Sequence, residues 1–198
     1  SSIIYSFSYD KRNQRYRPTS GYLSRFTQSL PIVSDGSPIL NGYELNTYKE
    51  IVDDMVFSFS LYGRAINSLS DDDVRISKRL YLPSYKLRGF ETGKIGPKDS
   101  GDYIGGNYAT ALNAASTVPY IFQTLETIDM IMFLDAGNVW GVDYSDTIDE
   151  SNKIRSAVGV AIDWFTVIGP LNFSLSQPIT KASSDRTEKF RFQIGTTF

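Results

Sequence analysis

Polar and apolar residues alternate with a period of two in nine stretches of the chain. The clearest stretch runs from Ile154 to Trp164, where mostly large apolar residues alternate with arginine, alanine, glycine and aspartate. This is the period of a β-strand, and no stretch predicts a helix, so the pattern predicts an all-β protein. The nine predicted strands are Ser2 to Asp10, Tyr22 to Leu30, Asn41 to Glu50, Met55 to Arg64, Asn107 to Ser116, Thr127 to Asp135, Ile154 to Trp164, Leu171 to Ser176 and Glu188 to Phe198.

The two faces of these strands differ in a way that separates two fold classes. One face is aliphatic and aromatic, whereas serine, alanine, asparagine, glycine and threonine dominate the other. In a soluble β-sandwich the second face is solvated, and lysine and glutamate would be common there. Small polar residues are typical of the inside of a barrel whose apolar face meets lipid. The pattern therefore favours an antiparallel transmembrane β-barrel, with a soluble sandwich as the alternative.

One connection, named here the long loop, runs from Leu69 to Ile104 and is far longer than the others. Loops of this length are uncommon in compact folds and are usually functional or disordered. Leu87-Arg88-Gly89-Phe90 and Lys94-Ile95-Gly96-Pro97 lie within it. An arginine between apolar neighbours, beside a glycine that permits close backbone approach, indicates a segment docked against another surface. An ordinary solvated arginine in a surface loop is the alternative.

The composition limits the chemistry that the chain can perform. It contains no cysteine and no histidine, which excludes disulfides, thiol nucleophiles, Cys/His metal sites and histidine-dependent triads. A hydrolytic barrel using Asp129, Asp163 and nearby serines is the enzymatic alternative, but a serine without a histidine is poorly activated. We expect no enzymatic activity, no metal and no cofactor.

Charge and hydropathy limit the kinds of partner that we expect for the chain. The net charge is -2 and the basic residues are dispersed, so we expect no nucleic-acid partner. No apolar run approaches the roughly 18 to 20 residues of a membrane-spanning helix, whereas a barrel strand needs only about 9 to 11. The aromatic content is 14%, with 13 tyrosines and 12 phenylalanines, and aromatic residues collect at both membrane interfaces of a barrel. We therefore expect lipid or detergent to surround the outer face of the protein.

Several motifs occur in an order that points to one family. They are Arg88-Gly89-Phe90, Ile95-Gly96-Pro97, Ile104-Gly105-Gly106-Asn107, Phe133 to Trp140, Ile168-Gly169-Pro170-Leu171 and the aromatic C-terminus. Over its whole length the chain resembles the BamA-type outer-membrane-protein assembly factors, whose relatives include two-partner-secretion transporters and TamA. The resemblance implies a barrel of about sixteen strands preceded by POTRA domains. Residues 1–198 would be its C-terminal part, with about eight or nine strands and no POTRA domain.

The resemblance also implies roles for the long loop. The loop would fold back into the barrel lumen, with Arg88 against the inner wall and Asp135 as the inward carboxylate that binds it. The alternative for Asp135 is a plain turn residue at a strand end. The family often has a glutamate on the wall strand after the loop, and we assign that position to Ala115, so the docking site would be simpler here.

The C-terminal strand resembles the family's targeting signal and its seam strand. The residues concerned are Phe190, Phe192, Ile194, Gly195 and Phe198. An interfacial girdle would also place aromatic residues there. The implied function is insertion of β-barrel proteins into the outer membrane of Gram-negative bacteria by strand addition at the seam, and the alternative is a two-partner-secretion-type transporter. The implied partners are unfolded outer-membrane proteins, assembly-complex lipoproteins and, through unpaired edge strands, other copies of the chain.

A closed ring formed by this chain alone would create a conflict over space. The interior of an eight-stranded barrel is filled by its own side chains. In a closed ring of eight or nine strands we therefore expect the long loop to lie outside or to be disordered. Arg88 would then lose its contact with the wall.

Overall fold

Nine long strands make up one antiparallel sheet in the computed structural model, which describes residues 2–32, 38–69, 73–119, 127–167 and 169–194. A strand is found at each of the nine predicted places, and the sixth continues beyond Asp135 to Trp140. The ninth begins at Phe190 and is described as far as Ile194, and residues 195–198 of its predicted range lie outside the described residues. The strands in chain order are β1 (Ser2–Asp10), β2 (Ser20–Pro31), β3 (Ile39–Val52), β4 (Met55–Asn67), β5 (Lys98–Asp99), β6 (Asp102–Tyr103), β7 (Tyr108–Thr117), β8 (Ile128–Trp140), β9 (Arg155–Thr166), β10 (Gly169–Thr180) and β11 (Phe190–Ile194).

The short strands β5 and β6 pair only with each other and form a small hairpin inside the long loop. Single 3₁₀ turns occur at Ile76–Lys78 and Asp146–Ile148. In the ranges described, no helix has the length and apolar character needed to cross a membrane.

The main sheet is open. Its order is β1-β2-β3-β4-β7-β8-β9-β10-β11, so each strand of this sheet pairs with the next one along the chain once the β5–β6 hairpin is left out, and β1 and β11 are the edges among the described residues. With nine antiparallel strands, β1 and β11 run in the same direction, so joining them would create a parallel pair in an otherwise antiparallel ladder. Within the described residues, the two edge strands do not pair with each other.

The large apolar side chains point away from the enclosed side of the sheet. Along β8, Met132 and Leu134 are 55% and 49% exposed, whereas Phe133 and Asp135, which alternate with them, are 3% and 0% exposed. The same alternation runs through β9, where Val158 is exposed and Ala157 is buried. The predicted division into an outward apolar row and an inward row of small and polar residues is confirmed.

The core lies between the inner face of the sheet and the long loop. Among the described residues the other sheet is the two-residue β5–β6 hairpin of the long loop, which is too small to be the second layer of a soluble sandwich, so that alternative is wrong. The loop contributes four large side chains, and the wall opposite them is mostly alanine and valine, so the loop backbone comes close to the strands. The core cluster comprises Tyr62, Leu82, Leu87, Phe90, Ile95, Ala109, Ala111, Val139 and Ala157.

The long loop therefore does not lie outside the sheet. The expectation that it would be displaced assumed a closed ring whose lumen is filled by wall side chains. The sheet is open and curves around a cavity of about 1120 Å³, which is lined by residues from β2, β3 and every later strand of the main sheet. The loop residues Tyr85, Lys86 and Arg88 line this cavity together with the strands, so the loop lies on the inner wall, and the expected loss of the Arg88 contact does not occur.

The outward row yields a prediction about membrane insertion. Val160, in the middle of β9, is flanked across the sheet by Met132 and Leu175, which are both exposed. Val160→Lys is expected to lower the free energy of unfolding from liposomes by about 2–4 kcal/mol, because the ammonium would face hydrocarbon. Ile154→Lys, next to β9 at the end of the sheet where the long loop joins β7, is the control and is expected to cost about 0–1 kcal/mol because this end lies near the membrane interface. Urea titration measures both, and equal costs would contradict the assignment of this face to lipid.

Candidate functional site

Arg88 and Asp135 form the central contact between the long loop and the wall. The Arg88 Nε donates to Asp135 Oδ2 at 2.7 Å, and its Nη2 donates to Oδ1 at 2.8 Å. The Arg88 backbone N–H donates to the same Oδ2 at 3.1 Å. Asp135 is completely buried and the Arg88 side chain is 15% exposed. The opposite charges attract the loop to the wall, and the bidentate geometry also fixes the orientation of the loop.

Asn113 completes the hydrogen bonding of Asp135. It lies directly opposite Asp135 in the β7–β8 register, and its Nδ2 donates to Asp135 Oδ1 at 2.9 Å and to the Lys86 carbonyl at 2.8 Å. Asp135 is therefore an inward residue within β8, and its alternative role as a strand-end turn residue is wrong. Ala115 lines the cavity on the same face of β7, two residues further along. In this chain Asn113 is the β7 residue that binds at the docking site, and the sequence analysis missed it.

An aromatic ring supports the guanidinium from the wall side. The Arg88 Cζ lies 3.4 Å from the centroid of the Phe133 ring, which is buried on the same inward row as Asp135. Gly159 on the neighbouring strand β9 leaves space for this ring, because a Cβ at that position would lie 2.5 Å from the Phe133 Cζ. Stacking on an aromatic face is a favourable environment for a desolvated arginine.

Gly89 allows the loop to touch the wall. Its φ is +91°, and a Cβ at this position would lie 2.9 Å from the Ala157 Cβ and 3.3 Å from the Ser176 Cβ. The next residue, Phe90, is 2% exposed and pairs as an isolated bridge with Thr187, in the segment that leads into β11. Glycine is thus required here both for its backbone conformation and for its size.

Ile95, Gly96 and Pro97 form a second anchor of the loop. Ile95 is buried in the core cluster, and Pro97 is among the most completely buried side chains of the protein. Gly96 has a φ of +92°, and a Cβ there would lie 3.0 Å from the Val139 Cβ on β8. The two motifs singled out in the sequence therefore contact the wall at different points, Gly89 on β9 and β10 and Gly96 on β8.

Lys86 is a further docking residue that the sequence pattern did not indicate. Its Nζ donates to the Ser60 Oγ at 3.0 Å and lies over the rings of Tyr62 and Tyr85, at 5.7 and 5.4 Å from their centroids. Burial lowers the pKa of the Lys86 ammonium, while the carboxylate of Glu44 acts in the opposite direction. Nothing in the local sequence separates this lysine from a solvated one.

The described residues of the last strand have two different faces. Phe190, Phe192 and Ile194 point outward and are exposed, whereas Arg191 and Gln193 point inward toward the long loop. Gly195 and Phe198, the other two residues of the predicted signal, lie outside the described residues.

The carboxylates of the enzymatic alternative are engaged in other contacts. Asp129 and Asp163 are opposite each other in the β8–β9 register. Asp129 accepts two hydrogen bonds from Arg17, which lies in the turn between β1 and β2, and Asp163 accepts one from the Asn172 Nδ2. In the part of the chain that the structure covers, no group of three acidic, histidine or cysteine side chains is placed to hold a metal ion.

An antiparallel sheet with an outward apolar row, and with an ion-paired loop docked on its inner face, defines the class of transmembrane β-barrels with an internal loop. The Omp85 superfamily domain matches residues 1–198. The chain therefore belongs to the Omp85 superfamily and forms part of an outer-membrane β-barrel.

Proteins of bacteria and of animals are similar to the chain in sequence. The chain is 30% identical over 139 residues to the outer membrane protein assembly factor BamA of Neisseria meningitidis, a match that covers 57% of the chain and 17% of that protein. It is 31% identical over 160 residues to the human sorting and assembly machinery component 50 homolog, covering 74% of the chain and 33% of that protein. The chain thus spans a third or less of the length of these relatives.

A solved structure shares the fold. The crystal structure of BamA from Haemophilus ducreyi lacking POTRA domains 1-3 superposes with a TM-score of 0.87 at 24% identity. The match covers 96% of this chain and 41% of the other. The nine-stranded sheet thus has the fold of part of that BamA structure.

Proposed function

We propose that this chain takes part in inserting and folding β-barrel proteins in the outer membrane of Gram-negative bacteria, by strand addition at the β11 edge. The observation that carries the proposal is that, among the described residues, β11 pairs with β10 on one side and is an edge of the sheet on the other. An edge strand presents backbone N–H and C=O groups that can template an incoming strand. The names of the Neisseria and human relatives, an assembly factor and an assembly machinery component, support the same role.

The proposed role is not enzymatic. Strand addition exchanges backbone hydrogen bonds and requires neither a nucleophile nor a cofactor. The proposed partners are lipid, unfolded outer-membrane proteins and the lipoproteins of an assembly complex. A second copy of the chain could also pair with the free edges, and it competes with the substrate for the same backbone groups.

Cysteine capture of a substrate strand tests this function, because the chain has no cysteine of its own. Phe190 on β11 and Leu175 on β10 are cross-strand partners with nearly equal exposure, 55% and 57%, and both point outward. Phe190→Cys in the liposome-inserted protein is expected to form a disulfide with a single cysteine in the last strand of an unfolded barrel substrate. Leu175→Cys, the matched control, is expected to form at most about a tenth as much.

Three results would count against the function. Equal capture at both positions would indicate non-specific collision in the membrane, and no capture at Phe190→Cys would indicate that substrate strands do not approach β11. Capture of a second copy of the chain in place of the substrate would show that the edge is used for self-association. Non-reducing gel electrophoresis distinguishes these products by mass.

A further inference from the structure

The last strand has a second set of contacts in addition to its pairing with β10. Arg191, which points inward from β11, donates from Nη1 to the Ser84 carbonyl and from Nη2 to the Phe90 carbonyl, both at 2.6 Å. Its Nε donates to the Glu188 Oε2 at 2.8 Å, and its Nη2 also contacts that oxygen. All three guanidinium nitrogens are therefore engaged, and the Arg191 side chain is only 10% exposed.

The two carbonyl groups that Arg191 binds lie on either side of Arg88 in the sequence. Ser84 precedes Arg88 by four residues and Phe90 follows it by two, so Arg191 contacts both ends of the segment that Arg88 fixes to β8. Gln193, the other inward residue of β11, donates from Nε2 to the Ser84 Oγ at 2.6 Å. The inner face of the last strand therefore rests on the long loop.

Backbone hydrogen bonds extend this contact into the connection before β11. The Glu188 N–H donates to the Gly89 carbonyl at 3.0 Å, and the Glu91 N–H donates to the Arg186 carbonyl at 3.0 Å. The Arg186 N–H donates in turn to the Lys94 carbonyl at 3.1 Å. These three bonds join loop residues 89–94 to residues 186–188 in the manner of a short strand pairing.

We propose that the long loop is a clamp on the last strand, in which docking of Arg88 on Asp135 positions the two carbonyl groups that Arg191 binds. The clamp links β8 to β11 across two intervening strands, β9 and β10, which separate them in the sheet. Because β11 has a strand neighbour on one side only, contacts with the loop carry a large share of its stability. Undocking the loop then loosens the strand, and removing Arg191 loosens the loop.

The biological meaning of this inference rests on the proposed function, because docking of the long loop then controls the β11 edge that templates incoming strands. The structural link itself depends only on the contacts above. Arg191 acts in it as a positioning residue, through the loop carbonyl groups and not through a substrate.

Amide hydrogen–deuterium exchange in the membrane-inserted protein tests the clamp. Arg191→Gln is expected to speed exchange by about tenfold or more in two segments, 84–94 of the loop and 189–194 of the last strand, because two charge-assisted bonds are lost. Asp135→Asn is expected to do the same in both segments, although Asp135 lies on β8. Arg25→Gln, which removes an inner-face arginine of β2, is the control and is expected to change neither segment.

The double variant separates a clamp from two independent effects. If the loop carries the link, Arg191→Gln adds little to the exchange of 189–194 once Asp135→Asn has released the loop. If Arg191→Gln affects only β11 and Asp135→Asn affects only the loop, the proposal is overturned. Should Asp135→Asn not fold, Asn113→Ala weakens the same docking site and carries the same expectation.

The exchange experiment contains no substrate, so its outcome is independent of the capture experiment. A coupled loop and strand with no capture at Phe190→Cys would leave the clamp intact and reject the insertion function. Capture without coupling would reject the clamp and leave the function standing.

Discussion

Asp135→Asn is expected to release the long loop from the inner wall and to destabilise its docked state by about 3–5 kcal/mol. The substitution leaves the Arg88 guanidinium without its charge partner in a site where Asp135 is completely buried. Asparagine can still accept a hydrogen bond, but it cannot neutralise the cation or accept bidentately at both oxygens. Limited proteolysis in the 84–94 segment and amide exchange of the same segment measure the release.

Asp129→Asn is a closely matched control for this prediction. Asp129 lies on the same strand and the same inner face, and Arg17 also binds it through two nitrogens. The Asp129 and Arg17 side chains are 22% and 47% exposed, however, so solvent screens the pair. We expect a cost below about 1 kcal/mol for Asp129→Asn. If the two substitutions cost the same, burial is not the reason for the strength of the Arg88 contact.

A paired replacement separates the cost of an unpaired charge from the value of the contact. Arg88→Met combined with Asp135→Leu removes both charges together and keeps apolar volume against the Phe133 ring. We expect this double variant to be more stable than Asp135→Asn alone, because neither charge remains buried without a partner. A double variant less stable than the single one would show that the ion pair itself holds the loop.

Gly89→Ala is expected to undock the loop by steric conflict, with a total cost of about 2–5 kcal/mol. About 1–2 kcal/mol comes from placing a Cβ on a residue with a φ of +91°. About 1–3 kcal/mol more comes from overpacking, since the Cβ would lie 2.9 Å from the Ala157 Cβ. Exchange of the 84–94 segment measures the opening free energy.

Gly101→Ala isolates the backbone part of that cost. Gly101 lies in the turn between β5 and β6, its φ is +94°, and a Cβ there would meet no atom within 4 Å. We expect it to cost only the backbone share and to leave the 84–94 segment protected. If Gly101→Ala opened that segment as far as Gly89→Ala, backbone strain would explain the effect, and close packing on β9 and β10 would not.

The docking-site residues that could be predicted from the sequence are those that a local sequence motif marks. Arg88 and Gly89 stand out because an arginine between apolar residues beside a glycine is unusual in a loop, and Asp135 was assigned through the family resemblance. Asn113, Lys86 and Arg191 carried no such signal, because each is an ordinary polar residue in its own segment. Their partners are distant in sequence, since Lys86 bonds to Ser60 across 26 residues and Arg191 to Phe90 across 101.

The strands and the polarity of their two faces could be deduced from the order of residues, because alternation follows from the geometry of an extended backbone and needs no knowledge of distant contacts. The position of the long loop could not. It depends on whether the sheet closes, which is decided by the pairing of its edges and by the space left inside. In this protein the open, curved sheet leaves that space, and a buried ion pair between Arg88 and Asp135, 47 residues apart, holds the loop within it.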